Sequence, residues 1–142
     1  MINVYIVPAQ HLHDEWVAVK DDLAFCLAQA TDEVWVEDVY HCIRAGTTLL
    51  VVLRSADWSY RGMVVITEYP EPFNPRVKSL HVWFTRTHSH EATEAGMNFL
   101  RKHAKATGCR KIAFRGARPG FARWGDEFGF KQSLIELVAE VV

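Results

Sequence analysis

The residues of this 142-residue chain best suited to chemistry crowd into one short stretch, Arg86-Thr87-His88-Ser89-His90-Glu91. His88-x-His90-Glu91 offers metal ligands, but no third ligand sits at a familiar spacing, so no metal is expected. Ser89 lies between two histidines without the tight Gly-flanked turn that exposes a nucleophilic serine. A structural role suits the same residues equally well. Ser89 or Thr87 caps a helix, and Glu91 in the first turn complements the positive end of the helix dipole. Arg110, Lys111, Arg115, Arg118 and Arg123 make the last third basic, a pattern that meets phosphate groups or simply faces solvent. Gly116-Ala117-Arg118-Pro119-Gly120 lacks P-loop spacing. Trp16, Trp35, Trp58, Trp83 and Trp124 fit a core or an interface better than a base-stacking platform.

The elements that must position these residues are read from periodicity. Leu80 to Phe84 alternates as a strand, and Thr85 to Glu91 is a polar connection. From Ala92 the apolar residues Ala95, Met97, Phe99, Leu100 and Ala104 fall at helical spacing until Gly108, a C-cap preceded by Lys102 and Lys105. Lys111 to Phe114 is a further strand, and Gly120 to Phe128 a short helix closed by Gly129-Phe130. Upstream, Asn3 to Val7 is a strand, and His11 to Ala30 a helix with Leu12, Trp16, Val19, Leu23 and Leu27 on one face. Thr31 or Asp32 caps a second helix carrying Val36, Val39, Tyr40 and Ile43, which Gly46 ends. Thr47 to Leu53 is an apolar run typical of a strand buried on both faces. A hairpin loop at Ser55–Ser59 returns into the strand Tyr60–Glu68. Pro70, Pro72 and Pro75 then predict an irregular connection to the strand Val77–Phe84. Phe130 to Val142 completes the sheet.

Three successive strands with short loops imply an antiparallel half, and the helical crossover after Phe84 implies a parallel pair. The expected fold is α/β, a mixed sheet with helices on both faces, in one domain over residues 1–142. Apolar residues make up 49% and charged residues 23%, ordinary for a globular chain. A net charge of −1 gives no pull towards nucleic acid or anionic membrane. Cys26, Cys42 and Cys109 are odd in number and lack metal-knuckle spacing, which predicts reduced thiols in the cytoplasm. No apolar run reaches membrane-spanning length, and the start lacks signal-peptide features.

The order of elements, the helix running into Gly108-Cys109-Arg110-Lys111-Ile112, and the helix-closing Phe128-Gly129-Phe130 resemble the GCN5-related N-acetyltransferase (GNAT) family. The resemblance spans the whole chain in element order and the last third in motif, and it is similar to the small, divergent members found in phage genomes. It implies transfer of acetyl from acetyl-CoA to a primary amine, on a small molecule or a protein, and leaves room for a homodimer. The amine would attack the thioester carbonyl while a central-strand N–H holds the oxyanion. In the family, the loop before the central helix carries Gln/Arg-x-x-Gly-x-Gly/Ala, whose glycines admit backbone N–H groups to the coenzyme A pyrophosphate. Here His88, Glu91 and Thr93 stand on those positions, and no glycine lies between Gly62 and Gly96. Glu91 brings a carboxylate to a pyrophosphate site, with Arg86, His88 and His90 as compensating donors. The cofactor-binding residues implied are thus Phe84, Thr85, Arg86, His88, Ser89, His90, Glu91, Ala92 and Thr93, with Arg123. The general base implied is Glu68 or His81; the plainer reading is that Glu68 ends a strand beside the proline-rich loop and His81 faces a helix. The family's tyrosine acid falls at Gly125, beside Trp124, and no tyrosine follows Tyr69. A rival reading is a GNAT-fold binding or assembly module that has lost the cofactor.

Overall fold

The computed structural model describes residues 1–29, 34–114, 127–131, 139 and 141. Five strands form one sheet in chain order: β1 (Ile2–Ile6), β2 (Leu49–Ser55), β3 (Tyr60–Glu71), β4 (Asn74–Thr87) and β5 (Cys109–Phe114). Every neighbouring pair is antiparallel except β4 and β5, which are parallel. The helix α3 (His90–Thr107) makes that crossover, as the strand–helix–strand order requires.

Strand β2 explains the layering. Leu50 and Val52 pack under α1 (Leu12–Ala28) and α2 (Val36–Ala45), together with Met63, Val65, Val19, Leu23, Val39 and Ile43. Val51 and Leu53 point the other way, to α3, and join Val64, Ile66, Leu80, Val82, Met97 and Leu100. An apolar run with no alternation is therefore needed at β2, because both of its faces are core. Each such side chain, fully buried, contributes roughly 1.5–3 kcal/mol over an exposed one. Two of these helices end where glycine allows a left-handed turn: α2 at Gly46 (φ 84°) and α3 at Gly108 (φ 76°).

Four expectations are revised. Residues 30–33 lie outside the described part, and the N-cap of α2 is Trp35, whose N–H donates to the Asp38 carboxylate at 2.9 Å. Proline does not break the connection between the third and fourth strands. β3 and β4 continue as a long hairpin, with Tyr69 opposite Ser79 and Pro70 opposite Lys78. Pro70 lies beyond the last pairing with β2, at Ile66, and Pro75 precedes the first pairing with β5, at Lys78. Both occupy edge positions where no ladder donor is required. Thr85, Arg86 and Thr87, expected in a loop, belong to β4 and pair with Val64, Met63 and Gly62. Strand β5 starts at Cys109, directly after the helix-ending glycine. Of the short last helix, Glu127 and Phe128 are described as helical and Gly129 takes φ 80°. The final strand expected over Phe130–Val142 falls largely outside the described residues.

Candidate functional site

The end of β4 deals its side chains to two faces. Arg86 and His88 turn to α1, while Thr85 and Thr87 turn to α3, where they line a narrow cleft with Thr93, Gly96 and Phe114. Gly62 makes this strand end possible. A Cβ there would stand 2.6 Å from the Arg86 carbonyl oxygen and 2.9 Å from the Thr87 Cα, and its φ of 154° disfavours other residues.

On the α1 side the organising group is Asp22, only 5% exposed. Its Oδ2 accepts from the Tyr60 hydroxyl at 2.7 Å and lies 2.8 Å from His88 Nε2. Its Oδ1 accepts from Arg86 Nη1 at 3.4 Å, and the guanidinium also rests over the Phe25 ring, 3.6 Å from its centroid. Burial, and then the bond to Asp22, hold the Tyr60 phenol protonated well above the usual tyrosine range. With three partners on its two oxygens, Asp22 clamps α1 to β3 and β4.

On the other side lies the start of α3. Ser89 is the cap: its Oγ accepts from the Ala92 N–H at 3.1 Å, and its carbonyl accepts from the Thr93 N–H at 3.1 Å. Thr87 instead bonds Thr93 through their hydroxyls at 2.6 Å. Glu91 meets the amino group of Met1 at 3.0 Å. His90 faces Glu94 at 3.4 Å and Glu127 at 3.2 Å.

Glu68 and His81 do not share a site. Glu68 is opposite Leu80 in the ladder and His81 is opposite Thr67, so the two side chains leave opposite faces of the sheet. Glu68 pairs with Lys78 at 3.5 Å on the α3 side. His81 joins a row of rings, 5.0 Å from Tyr69 and 5.7 Å from Trp83 between centroids. Trp83 is the extra residue where the register with β3 shifts between Val65 and Ile66, and its indole N–H donates to Thr67 Oγ1 at 2.6 Å. Arg123 lies outside the described residues.

Solved structures share this fold along nearly their full length. A ribosomal-protein-alanine N-acetyltransferase from Brucella melitensis biovar Abortus 2308 superposes with a TM-score of 0.73 at 17% identity, covering 100% of both chains. A transcriptional regulator from Bacillus halodurans C-125 gives 0.72 at 18% identity, over 99% of this chain and 100% of the other. A predicted acetyltransferase with acetyl-CoA from Clostridium acetobutylicum gives 0.68 at 11% identity, over 97% and 96%. The chain has the GNAT fold. No family model matches its sequence, and no curated protein does.

The GNAT fold implies coenzyme A, and the described residues can be tested against its pyrophosphate. They do not fit it. The Ser89 hydroxyl already accepts the Ala92 N–H, a donor that a phosphate oxygen at this helix start would take. Glu91, Glu94 and Glu127 bring carboxylates to the same end of α3. Arg86 and His88, the expected compensating donors, are bound by Asp22 on the other face of β4, and His90 lies between two glutamates.

Asp22 itself carried a signal in the sequence. It falls on the stripe Val19, Leu23, Cys26, all buried, and a carboxylate on an apolar stripe demands partners. The roles of Tyr60, Glu94 and Glu127 have no comparable local mark.

Proposed function

We propose that this chain is a GNAT-fold protein that works by binding a partner, not by drawing an acyl group from a coenzyme A thioester. The observation that carries this reading is the self-capped, carboxylate-lined start of α3. A pyrophosphate placed there would find the Ala92 N–H already taken by the Ser89 cap, a bond worth about 0.5–2 kcal/mol. It would then meet like charge where the helix dipole offers only about 0.3–1 kcal/mol in return. The three cysteines Cys26, Cys42 and Cys109, none of them in a disulfide, support action in a reducing compartment such as the cytoplasm. Among the described residues, no helix is long and apolar enough to cross a membrane.

Acyl transfer from acetyl-CoA to an amine of a small molecule or protein is the second reading. The bulge at Trp83 favours it, because a bulge in a central strand re-aims backbone and side chains as active sites require. His81, on the face with Thr67, would then serve as the base. Thiol release from acetyl-CoA, assayed with polyamine and basic-peptide acceptors, separates the two. A partner-binding protein releases no thiol above the uncatalysed rate. Acceptor-dependent release that His81→Ala slows establishes the enzyme.

A further inference from the structure

His90 Nε2 lies 3.4 Å from Glu94 Oε1 and 3.2 Å from Glu127 Oε1, and the three ligand atoms are all within 4.8 Å of one another. One ring nitrogen carries at most one proton, and charge-assisted N–H···O bonds close to about 2.7–2.9 Å. Here two carboxylates face the same nitrogen, each beyond that range. The two separations from His90 fall in the range of a coordination shell instead. Ligands at about 2.0–2.2 Å from a zinc ion stand roughly 3.0 Å apart in an octahedral arrangement and roughly 3.4 Å apart in a tetrahedral one.

We propose that His90, Glu94 and Glu127 form a site for a divalent cation of the zinc type, with water completing the shell. His90 and Glu94 are four apart on α3 and share a face. Glu127 comes from the short helical piece Glu127–Phe128, and its neighbourhood is held to α3 independently of any ion. Arg101 Nη2 donates to the Phe128 carbonyl, and the Phe128 ring packs on the α3-side core. The carboxylate is therefore presented to His90 by contacts that a metal does not have to create.

Charge also permits a cation. The start of α3 carries about half a positive charge from its dipole, which opposes one. Glu94 and Glu127 exceed that, while Glu91 is matched by the Met1 amino group. An imidazole nitrogen with two carboxylates suits zinc, and disfavours magnesium and calcium, which take oxygen shells. Bound there, the ion would tie the start of α3 to the chain at Glu127.

The test is calorimetric titration of the full chain with zinc chloride, repeated on His90→Ala and Glu127→Gln. Both side chains are exposed, so both variants should fold as wild type. The expected result is one equivalent of zinc in the wild type and affinity at least about tenfold weaker in each variant, since even losing an outer-shell partner costs about 10–100-fold. Calcium chloride should give no saturable heat. The proposal is overturned if the wild type shows no saturable zinc binding. It is equally overturned if either variant binds as the wild type does, which would place the ion on other histidines or on the cysteines.

Discussion

Removing one member of a buried charge cluster leaves the others unpaired, and Asp22 is the member with the most partners. Asp22→Ala should lower stability at the lower end of the roughly 3–5 kcal/mol that breaking a buried pair costs. The lower end applies because the Arg86 and His88 side chains are 33% and 39% exposed, and water can recover part of their loss. Urea denaturation of the variant measures it. A change below about 0.5 kcal/mol, the range of ordinary surface substitutions, would show that the cluster is not a clamp. Tyr60 adds a pH dependence. Its phenol is held protonated beyond the range near 10 in which an unfolded tyrosine ionises. Its contribution is whole below that range and is lost as pH climbs through it, because only the unfolded chain releases the proton. Tyr60→Phe should therefore cost about 1.5–3 kcal/mol at neutral pH, the worth of a hydrogen bond to a charged group. It should also flatten the alkaline fall in stability. An equally steep fall in the variant would assign the effect to other groups. The face read from the sequence, Leu12, Trp16, Val19, Leu23 and Leu27, left out Asp22, whose place between Val19 and Cys26 was the one available sign of it. Its partners had no such sign, since Tyr60 and His88 lie 38 and 66 residues away and only the sheet brings them together.

Strand β4 and helix α3 set what the candidate site can be. The polar run after Phe84 looks like a loop because strand periodicity is usually sought in apolar residues. Thr85 and Thr87 are nonetheless strand residues, half or fully buried, with the Thr85 hydroxyl donating to the Met63 carbonyl at 3.0 Å. The prolines misled in the opposite direction, since only the sheet's outline shows that they fall on its edges. Helix α3 contains Gly96 in its interior, where a Cβ would meet Leu53 Cδ2 at 3.6 Å and Val64 Cγ2 at 4.0 Å, ordinary contact distances. Gly96→Ala should consequently stabilise the protein by about 0.5–1 kcal/mol, as glycine in a helix costs that much relative to alanine. A thermal melt checks this. A lowered melting temperature would mean that the cleft beside Thr93 needs the open space.

At the scale of the whole molecule, the order of the elements up to β5 was legible because two helix faces and a doubly buried strand leave few ways to layer the chain. Their spacing alone implied the parallel β4–β5 pair and helices on both faces. The state of the cofactor end was not legible in the same way. The resemblance sets Glu91 on a glycine position from the sequence, but the capture of Arg86 and His88 by Asp22 is a property of the folded chain. Nor could spacing show that Glu68 and His81 leave opposite faces, because it required the register of β3 against β4. A GNAT fold is compatible with several functions, and the decision rests on the chemistry of the site. Calorimetric titration of the wild type and of Glu91→Gly with acetyl-CoA at low salt, up to millimolar ligand, tests that chemistry most directly. The account predicts no saturable binding to either protein, because removing one carboxylate leaves the Ser89 cap, Glu94 and Glu127 in place. One-site binding to the wild type, tightened several-fold to about tenfold by Glu91→Gly at 1.4 kcal/mol per decade, would contradict it.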